Sequence, residues 1–177
     1  MLFVIFYEGE NMQKEIFIAG GCFWGVERYF QKVKGVLDTK ACYINGGFEG
    51  VKYKEVCEGS SHVEAVRVIY DNSKITEEDL WKLYLRIINP YSLNKQGNDR
   101  GVQYRIGLYS YDKDLLKKFS DLNEAFMKSE GKKNYIEIQK VEDVTLAEEY
   151  HQNYLLKNVN GYCHINLDDI PEEYQKQ

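Results

Sequence analysis

A cysteine set between glycines and two large aromatic residues is the part of this sequence most typical of chemistry. Cys22 lies in residues 20–25, where Phe23 and Trp24 follow the sulfur directly. The apolar residues 15–18 come before this run and a helix-like segment comes after it, so we expect the thiol at a turn between a strand and a helix. The free amide groups of a helix N-terminus favour a thiolate, which is the nucleophilic form of cysteine. Cys22 is therefore predicted to be a nucleophile beside an apolar wall.

The ordinary alternative for Cys22 is a structural role, because free cysteine is among the residues most often buried as a small hydrophobe. What favours the reactive interpretation is the combination in one short window. A cysteine that only fills space in the core does not need two glycines, two aromatic residues and a helix start around it.

A nucleophile of this kind needs a proton donor, and Glu64 is the best candidate. In residues 61–66 the alternation of a strand points Glu64 to the same face as His62 and Val66. Because Val66 is apolar, that face need not be fully solvated, and a partly buried carboxylic acid can stay neutral and deliver a proton near pH 7. The ordinary alternative is a solvated strand glutamate.

Several other polar residues have two open interpretations. Asp99 and Tyr104 form a second polar cluster near two glycines, and its ordinary form is a surface turn. Tyr53 can equally be a packing residue. His62 and His151 are possible acid–base groups, although a lone histidine is more often a hydrogen-bonded structural residue.

The four cysteines stand at positions 22, 42, 57 and 163, without C-x-x-C spacing. Cys163 lies in the glycine-bearing residues 160–164, a suitable place for a resolving thiol, which must bring its Cα within about 7 Å of that of Cys22. Its alternative is an ordinary free cysteine, as we predict for Cys42 and Cys57. The histidines and cysteines lack metal-ligand spacing, so neither a metal nor another cofactor is expected.

Composition limits the classes of function. The chain has 177 residues, 23 basic and 28 acidic, with a net charge of -5. It therefore offers no basic face for nucleic acid and no membrane-binding patch, and its partner is expected to be a small molecule or a protein. The apolar residues 1–7 are too short and too soon followed by acids for a signal sequence, and no later segment approaches the ~20 apolar residues of a membrane span. With sparse cysteines, we expect a soluble cytoplasmic protein, and its small size suggests a monomer.

The elements that must position these residues alternate along the chain. We predict an N-terminal extension over residues 1–11 and a single catalytic domain over residues 12–177. Strands are predicted over residues 15–18, 36–44, 63–70, 104–109 and 135–138. Helices are predicted over residues 23–33, 76–88, 112–129 and 146–156, with loops over residues 45–61 and 91–103. This order predicts an α+β fold, a two-layer α/β sandwich in which helices pack against a mixed sheet.

Six separated motifs, taken together and in this order, resemble the A-type peptide-methionine sulfoxide reductases over about residues 14–166. They are residues 21–25, 53–57, 62–66, 93–105, 147–152 and 161–164. The resemblance implies a sandwich of ferredoxin-like type. It also implies thiol-dependent reduction of the S epimer of methionine sulfoxide, free or in proteins, to methionine, which repairs proteins after oxidative stress.

The resemblance assigns a role to each candidate residue. Cys22 would be the nucleophile, and Glu64 would donate the proton to the sulfoxide oxygen. The implied substrate contacts are a cage for the methyl group, formed by Phe23 and Trp24, and a polar side, formed by Tyr53, Asp99 and Tyr104. Attack would leave Cys22 as a sulfenic acid, which would condense with Cys163 to a disulfide that thioredoxin reduces. A one-cysteine cycle, in which an external thiol attacks the sulfenic acid, remains an alternative.

Two other classes of protein stay open from the residues alone. A peroxide-reducing thiol enzyme would share the reactive sulfur and the resolving partner, but a peroxide needs no aromatic methyl cage. A redox-sensing or methionine-binding module would have Cys22 oxidised without turnover.

Overall fold

The secondary structure is known from a computed structural model, which describes residues 12–177, so the predicted extension over residues 1–11 lies outside the described residues. The strands are β1 Gln13–Gly20, β2 Val36–Ile44, β3 Val63–Asp71, β4 Lys95–Gln96, β5 Asp99–Arg100, β6 Ile106–Ser110, β7 Glu137–Lys140 and β8 Val144–Leu146. The helices are α1 Phe23–Gln31, α2 Tyr53–Cys57, α3 Glu77–Ile87, α4 Lys113–Glu130 and α5 Tyr154–Lys157, with 3-10 turns at Val102–Tyr104, Glu149–His151 and Glu172–Tyr174. Across residues 12–177, none of these helices combines the length and the apolar character needed to cross a membrane.

Six of the strands form one sheet in the order β7-β6-β1-β3-β2-β8, and β4 and β5 form a separate hairpin. Within the large sheet the neighbours pair antiparallel except β6 and β7, which run parallel. The sheet is therefore mixed, as predicted. Strand β1, which ends two residues before Cys22, and strand β3, which contains Glu64, lie at the centre of the sheet. Each is hydrogen-bonded to a neighbouring strand on both sides.

The two faces of the sheet differ, and this difference produces the two layers. Ile16 and Ile18 of β1 join the main core cluster, which includes apolar residues of α1, α3 and α4. Phe17 and Ala19, which alternate with them, lie in a smaller cluster, formed mostly by strand residues, on the other face. The helices thus pack against one face of a mixed sheet, which confirms the predicted layering.

Capping residues determine where α3 begins and where α4 ends. The Thr76 hydroxyl accepts a hydrogen bond from the Asp79 N–H at 3.1 Å, while the Asp79 carboxylate accepts one from the Thr76 N–H at 3.1 Å. Helix α4 ends at Gly131, whose φ of 63° is the left-handed conformation that glycine adopts without strain. Both helices were predicted to within two residues.

The predicted helix over residues 146–156 is wrong. Strand β8 ends at Leu146, and only the four residues of α5 are α-helical beyond it. Hydrogen bonds to distant residues determine the conformation of this segment instead. The Gln152 side chain accepts from the Ala41 N–H at 2.8 Å and donates to the Ala41 carbonyl at 2.8 Å, which ties the chain to β2.

Two predicted loops also contain regular structure. Helix α2 lies inside residues 45–61, and the β4–β5 hairpin lies inside residues 91–103. Tyr104, predicted as the first residue of a strand, instead ends the 3-10 turn Val102–Tyr104, and β6 begins at Ile106. These differences matter because α2 carries Tyr53 and the hairpin carries Asp99.

Candidate active site

Cys22 lies at the turn between β1 and α1, as predicted, and is the N-cap residue of α1. The turn depends on Gly21, whose φ of 88° is left-handed. A Cβ at this position would lie 2.7 Å from Cβ of Gln96 in the β4–β5 hairpin. A side chain at position 21 would therefore both strain the turn and push the hairpin away from the sulfur.

A cavity of about 180 Å³ opens at this turn. It contains every predicted site residue except Cys163. Its lining consists of Cys22, Phe23, Trp24, Tyr53, Glu64, Asp99, Tyr104, His151 and Tyr162. A larger cavity of about 350 Å³ lies between the C-terminal part of α1 and residues 167–176, but no cysteine lines it. The chemistry-bearing side chains converge on the smaller cavity.

Glu64 of β3 is almost completely buried, with 2 % of its surface exposed. Its Oε2 accepts a hydrogen bond from the Phe23 N–H at 3.2 Å, which holds the carboxyl group against the first turn of α1. Burial raises the pKa of Glu64 to about 8, the negative charge of Asp99 adds to this rise, and the Phe23 hydrogen bond opposes it. The carboxyl group is therefore protonated at neutral pH and can act as a proton donor.

Cys22 is 8 % exposed, and its sulfur is a thiol at rest. Burial raises the pKa of Cys22 far above its ordinary value, and the neighbouring Glu64 raises it further. The hydrogen bond from the Trp24 N–H lowers the pKa, but it does not offset the loss of solvation. The prediction of a resting thiolate is wrong, because the helix N-terminus is a weaker influence than desolvation beside a carboxyl group.

The aromatic wall of the cavity is fixed by contacts to the rest of the fold. The Trp24 ring stacks on Tyr154 of α5, with centroids 3.7 Å apart and planes 10° from parallel. Its Nε1–H donates to Nδ1 of His151 at 3.0 Å. Phe23 packs against Tyr43 and His151, with ring centroids 5.6 Å and 5.1 Å away. The wall therefore presents apolar surface at a set position beside the sulfur.

The opposite side of the cavity is polar. Tyr53 opens α2, where its N–H donates to the Glu148 carboxylate at 3.1 Å. The Asp99 carboxylate accepts a hydrogen bond from the Tyr162 hydroxyl at 3.0 Å. Burial raises the pKa of both Tyr53 and Tyr104, so their hydroxyl groups keep their protons and remain available as donors.

Cys163 lies beside the first turn of α1 rather than in the cavity. A Cβ at Gly25 would lie 3.0 Å from the Cys163 sulfur, so the thiol packs directly on that glycine. Its S–H donates to the Ile165 carbonyl at 3.2 Å, and His164 Nε2 lies 2.8 Å from the Gly20 carbonyl oxygen. All four cysteines are free. Gly25 is one helical turn after the N-cap, so the two sulfurs lie in the same neighbourhood.

Comparison with known proteins assigns the chain to a family. The family model described as Peptide methionine sulfoxide reductase matches residues 14–177. The chain belongs to this family. The Clostridium tetani protein named Peptide methionine sulfoxide reductase MsrA is 46% identical to it over 163 residues, which are 92% of this chain and 99% of the relative.

Solved structures of family members share the fold. Methionine sulfoxide reductase A of Corynebacterium diphtheriae has a TM-score of 0.80 and 30% identity, covering 88% of this chain and 79% of that one. Reduced Mxr1 of Saccharomyces cerevisiae has a TM-score of 0.78 and 34% identity, covering 87% of this chain and 90% of that one. Mxr1 has also been solved in complex with Trx2, with a TM-score of 0.55 and 22% identity over 86% of this chain and 91% of that one.

Two residues of this cavity were not predicted to belong to a site. From the sequence, His151 can be an acid–base group or a structural residue, and Tyr162 has no predicted role, yet both line the cavity. His151 and Tyr162 do belong to the motifs 147–152 and 161–164, but nothing in their local pattern separates a cavity residue from a packing residue. Their positions depend on tertiary contacts alone.

Proposed function

We propose that this chain reduces the S epimer of methionine sulfoxide, free or within proteins, to methionine, with Cys22 as the nucleophile and Glu64 as the general acid. The observation that carries the proposal is the meeting of these two groups in one cavity beside the wall of Phe23 and Trp24. A sulfoxide sulfur becomes electrophilic when its oxygen is protonated or strongly hydrogen-bonded. A neutral carboxyl group beside an apolar methyl slot supplies that condition.

The two unlike walls orient the substrate. Its methyl group packs against Trp24 and Phe23, and its oxygen faces Glu64 with the hydroxyl groups of Tyr53 and Tyr104 as further donors. Asp99 orders the polar side through its bond to Tyr162. The sulfoxide sulfur is pyramidal, so fixing its methyl group, its oxygen and the direction of the remaining chain selects one epimer.

The first step moves one oxygen atom from substrate to enzyme. Glu64 donates its proton to the sulfoxide oxygen as the Cys22 sulfur attacks the substrate sulfur, and the thiol proton of Cys22 passes to the Glu64 carboxylate. The hydroxyl group then moves to the Cys22 sulfur: the S–O bond of the substrate and the S–S bond formed in the attack both break, and an S–O bond to Cys22 forms. Methionine leaves with two more electrons than the sulfoxide had, and Cys22 is left as a sulfenic acid. The proton inventory of the enzyme is unchanged, which suits two groups whose pKa values are both raised.

Cys163 is proposed as the resolving thiol. Its sulfur attacks the Cys22 sulfur, a disulfide forms, and the hydroxyl group leaves as water with the Cys163 proton. Its packing on Gly25, one turn from the nucleophile, supports this role. An external dithiol of the thioredoxin type then reduces the disulfide by exchange, a proposal supported by the Mxr1 complex with Trx2.

The proposal also covers the fold type, the domain organisation, the oligomeric state and the cellular location. The order β6-β1-β3-β2, joined as β1-α1-β2-β3-α3-β6 with antiparallel neighbours, supports a ferredoxin-like core. We further propose that residues 12–177 form a single catalytic domain preceded by an extension over residues 1–11, and that the protein acts as a monomer in the cytoplasm. Four free thiols suit a reducing compartment.

The proposed function is tested with the two sulfoxide epimers assayed separately under excess dithiothreitol, which removes the need for a protein reductant. We expect methionine from the S epimer and none from the R epimer, and no product from Cys22→Ser. Hydrogen peroxide in the same assay tests the peroxide-reducing alternative. Faster turnover of peroxide than of either epimer, or oxidation of Cys22 without released methionine, would contradict the proposal.

A further inference from the structure

His151 connects the two walls of the cavity. It belongs to the 3-10 turn Glu149–His151 and is 1 % exposed. Its ring contacts Trp24 on the apolar wall, with centroids 5.9 Å apart, and Tyr53 on the polar wall, with centroids 4.7 Å apart in a T-shaped arrangement. Tyr150 covers its outer side at 4.2 Å. A shift of the His151 ring would therefore move both walls of the cavity.

The hydrogen bonding of His151 fixes its tautomer. An indole N–H is a donor only, so Nδ1 must accept the bond from Trp24, and the proton of the neutral ring lies on Nε2. Burial lowers the pKa of His151, and the Glu148 carboxylate opposes this to a smaller extent, so the ring is neutral at physiological pH. The neutral ring is the only form in which the Trp24 bond can exist, because His⁺ carries a proton on both nitrogens.

The second ring nitrogen shows that packing alone does not account for this histidine. His151 Nε2 is buried and has no hydrogen-bond partner among the described residues. A buried donor without a partner costs free energy, and an apolar ring of similar size would fill the same space without that cost. What the histidine adds over such a ring is the acceptor at Nδ1, and that acceptor is used by Trp24.

We propose that His151 is a positioning residue that sets the distance between the Trp24 wall and the Tyr53 hydroxyl, and thereby makes the cavity selective for a methyl sulfoxide. This inference rests on the proposed function. The methyl group must fit between the Trp24 indole, whose N–H is bonded to Nδ1 of His151, and the Tyr53 hydroxyl, whose ring packs on the same imidazole. One additional methylene group in a tight apolar pocket typically costs about 10–200-fold in specificity.

Two variants separate the acceptor from the ring. His151→Phe keeps an aromatic ring and removes the acceptor, which leaves the Trp24 N–H unpaired. His151→Asn removes the ring but carries an amide oxygen close to the position of Nδ1, so it can still accept the indole bond. Circular dichroism and thermal unfolding establish that each variant is folded before it is assayed.

The first readout is direct and does not depend on activity. The protein has two tryptophans, so a sample labelled with ¹⁵N in its indole groups gives two Nε1–H resonances, which a Trp81→Phe variant assigns. We expect the Trp24 resonance to move upfield and exchange faster with solvent in His151→Phe. In His151→Asn it should stay close to its original position.

The second readout is specificity. The kcat/KM values of the S epimers of methionine sulfoxide and ethionine sulfoxide are compared under dithiothreitol. We expect His151→Phe to lose up to about 10²-fold in kcat/KM for the methyl substrate, since small misplacements of a substrate-positioning wall cost this much. The ethyl substrate should lose less, so the methyl-to-ethyl ratio falls. His151→Asn keeps the acceptor for Trp24 but loses the ring that packs on Tyr53, so it should restore only part of the ratio.

An unchanged Trp24 resonance in His151→Phe, or equal proportional losses for the two substrates in a folded variant, would overturn the inference. Failure of the proposed function is distinguishable from this. In that case the unmodified protein reduces neither sulfoxide, while the indole resonance still reports whether the bond to His151 exists.

Discussion

The two cysteines of the proposed cycle lie in regions that are held in different ways. Cys22 joins a central strand of the sheet to α1, and the residues just before it pair with β6 through Gly20 and Ile106. Cys163 lies in residues 158–171, between α5 and the last 3-10 turn, with no helix or strand of its own. Its neighbours are fastened mainly by side chains, through Tyr162 to Asp99 and through His164 to the Gly20 carbonyl.

The two halves of the proposed reaction need different degrees of rigidity. Transfer of an oxygen atom needs a nucleophile and a proton donor held in one geometry, and a sheet supplies that rigidity. Forming a disulfide needs one sulfur to leave its resting contacts and approach the other. Ile165 and Ile170 anchor the segment in the main core, but residues 161–164 are exposed or half-buried. Hydrogen bonds that hold these four residues have a net worth of about 0.5–1.5 kcal/mol each, so this part can be released at small cost.

The largest effect is expected for the rigid half. Cys22→Ser should abolish methionine formation with dithiothreitol and with thioredoxin alike, because a serine hydroxyl cannot replace the sulfur as nucleophile. The assay is methionine released from the S epimer, measured by chromatography. Retained activity in either assay would remove Cys22 from the mechanism.

Cys163→Ser should separate the two halves. We expect a normal first turnover and normal multiple turnover with dithiothreitol, but loss of turnover with thioredoxin, because only the disulfide step uses this sulfur. Single-turnover and steady-state assays on the same protein sample measure both. Normal thioredoxin-dependent turnover would instead favour the one-cysteine cycle.

Glu64→Gln should slow the chemical step on the order of 10²–10⁴-fold, since the amide preserves shape but is not an acid. A rapid-quench single-turnover measurement isolates this step from recycling. Glu58→Gln is the matched control, because Glu58 is an exposed acid at the end of α2. A near-normal rate for Glu64→Gln would return Glu64 to a structural role.

The smallest effect is in the pH dependence of the first turnover. Glu64 has a pKa raised to about 8, so the donor form is present below this pH and is lost as the pH rises through it. The rate constant should be level near neutrality and fall about tenfold per unit well above pH 8. Glu64→Gln should remove this alkaline limb. A rate that rises through the acidic range to a plateau would indicate a low-pKa thiolate instead.

The position of Cys22 at the β1–α1 turn could be predicted because its signals are local. Gly21 marks the left-handed turn, the apolar run before it marks β1, and the alternation around Glu64 predicts which face of β3 it occupies. Thr76 and Gly131 likewise mark helix ends by their own backbone and side-chain chemistry. Signals of this kind come from residues that are adjacent in the sequence, so they can be recognised without the tertiary structure.

The protonation state of the site and the segment around residue 151 could not be predicted, because both depend on distant residues. The pKa of Cys22 is decided by burial and by Glu64, 42 positions away in the sequence. The helix predicted over residues 146–156 is broken by bonds from Gln152 to Ala41 and from Glu148 to Tyr53. No local pattern contains these contacts, so tertiary structure overrides propensity there.

The most direct measurement follows the oxygen atom. Reduced Cys163→Ser protein is mixed with one equivalent of the S epimer without any reductant, then treated with dimedone and digested for mass spectrometry. One methionine per protein should be released, with the sulfenic acid adduct on Cys22. Release of methionine with Cys22 unmodified, or an adduct only on Cys57 or Cys42, would contradict oxygen transfer to the sulfur at the β1–α1 turn.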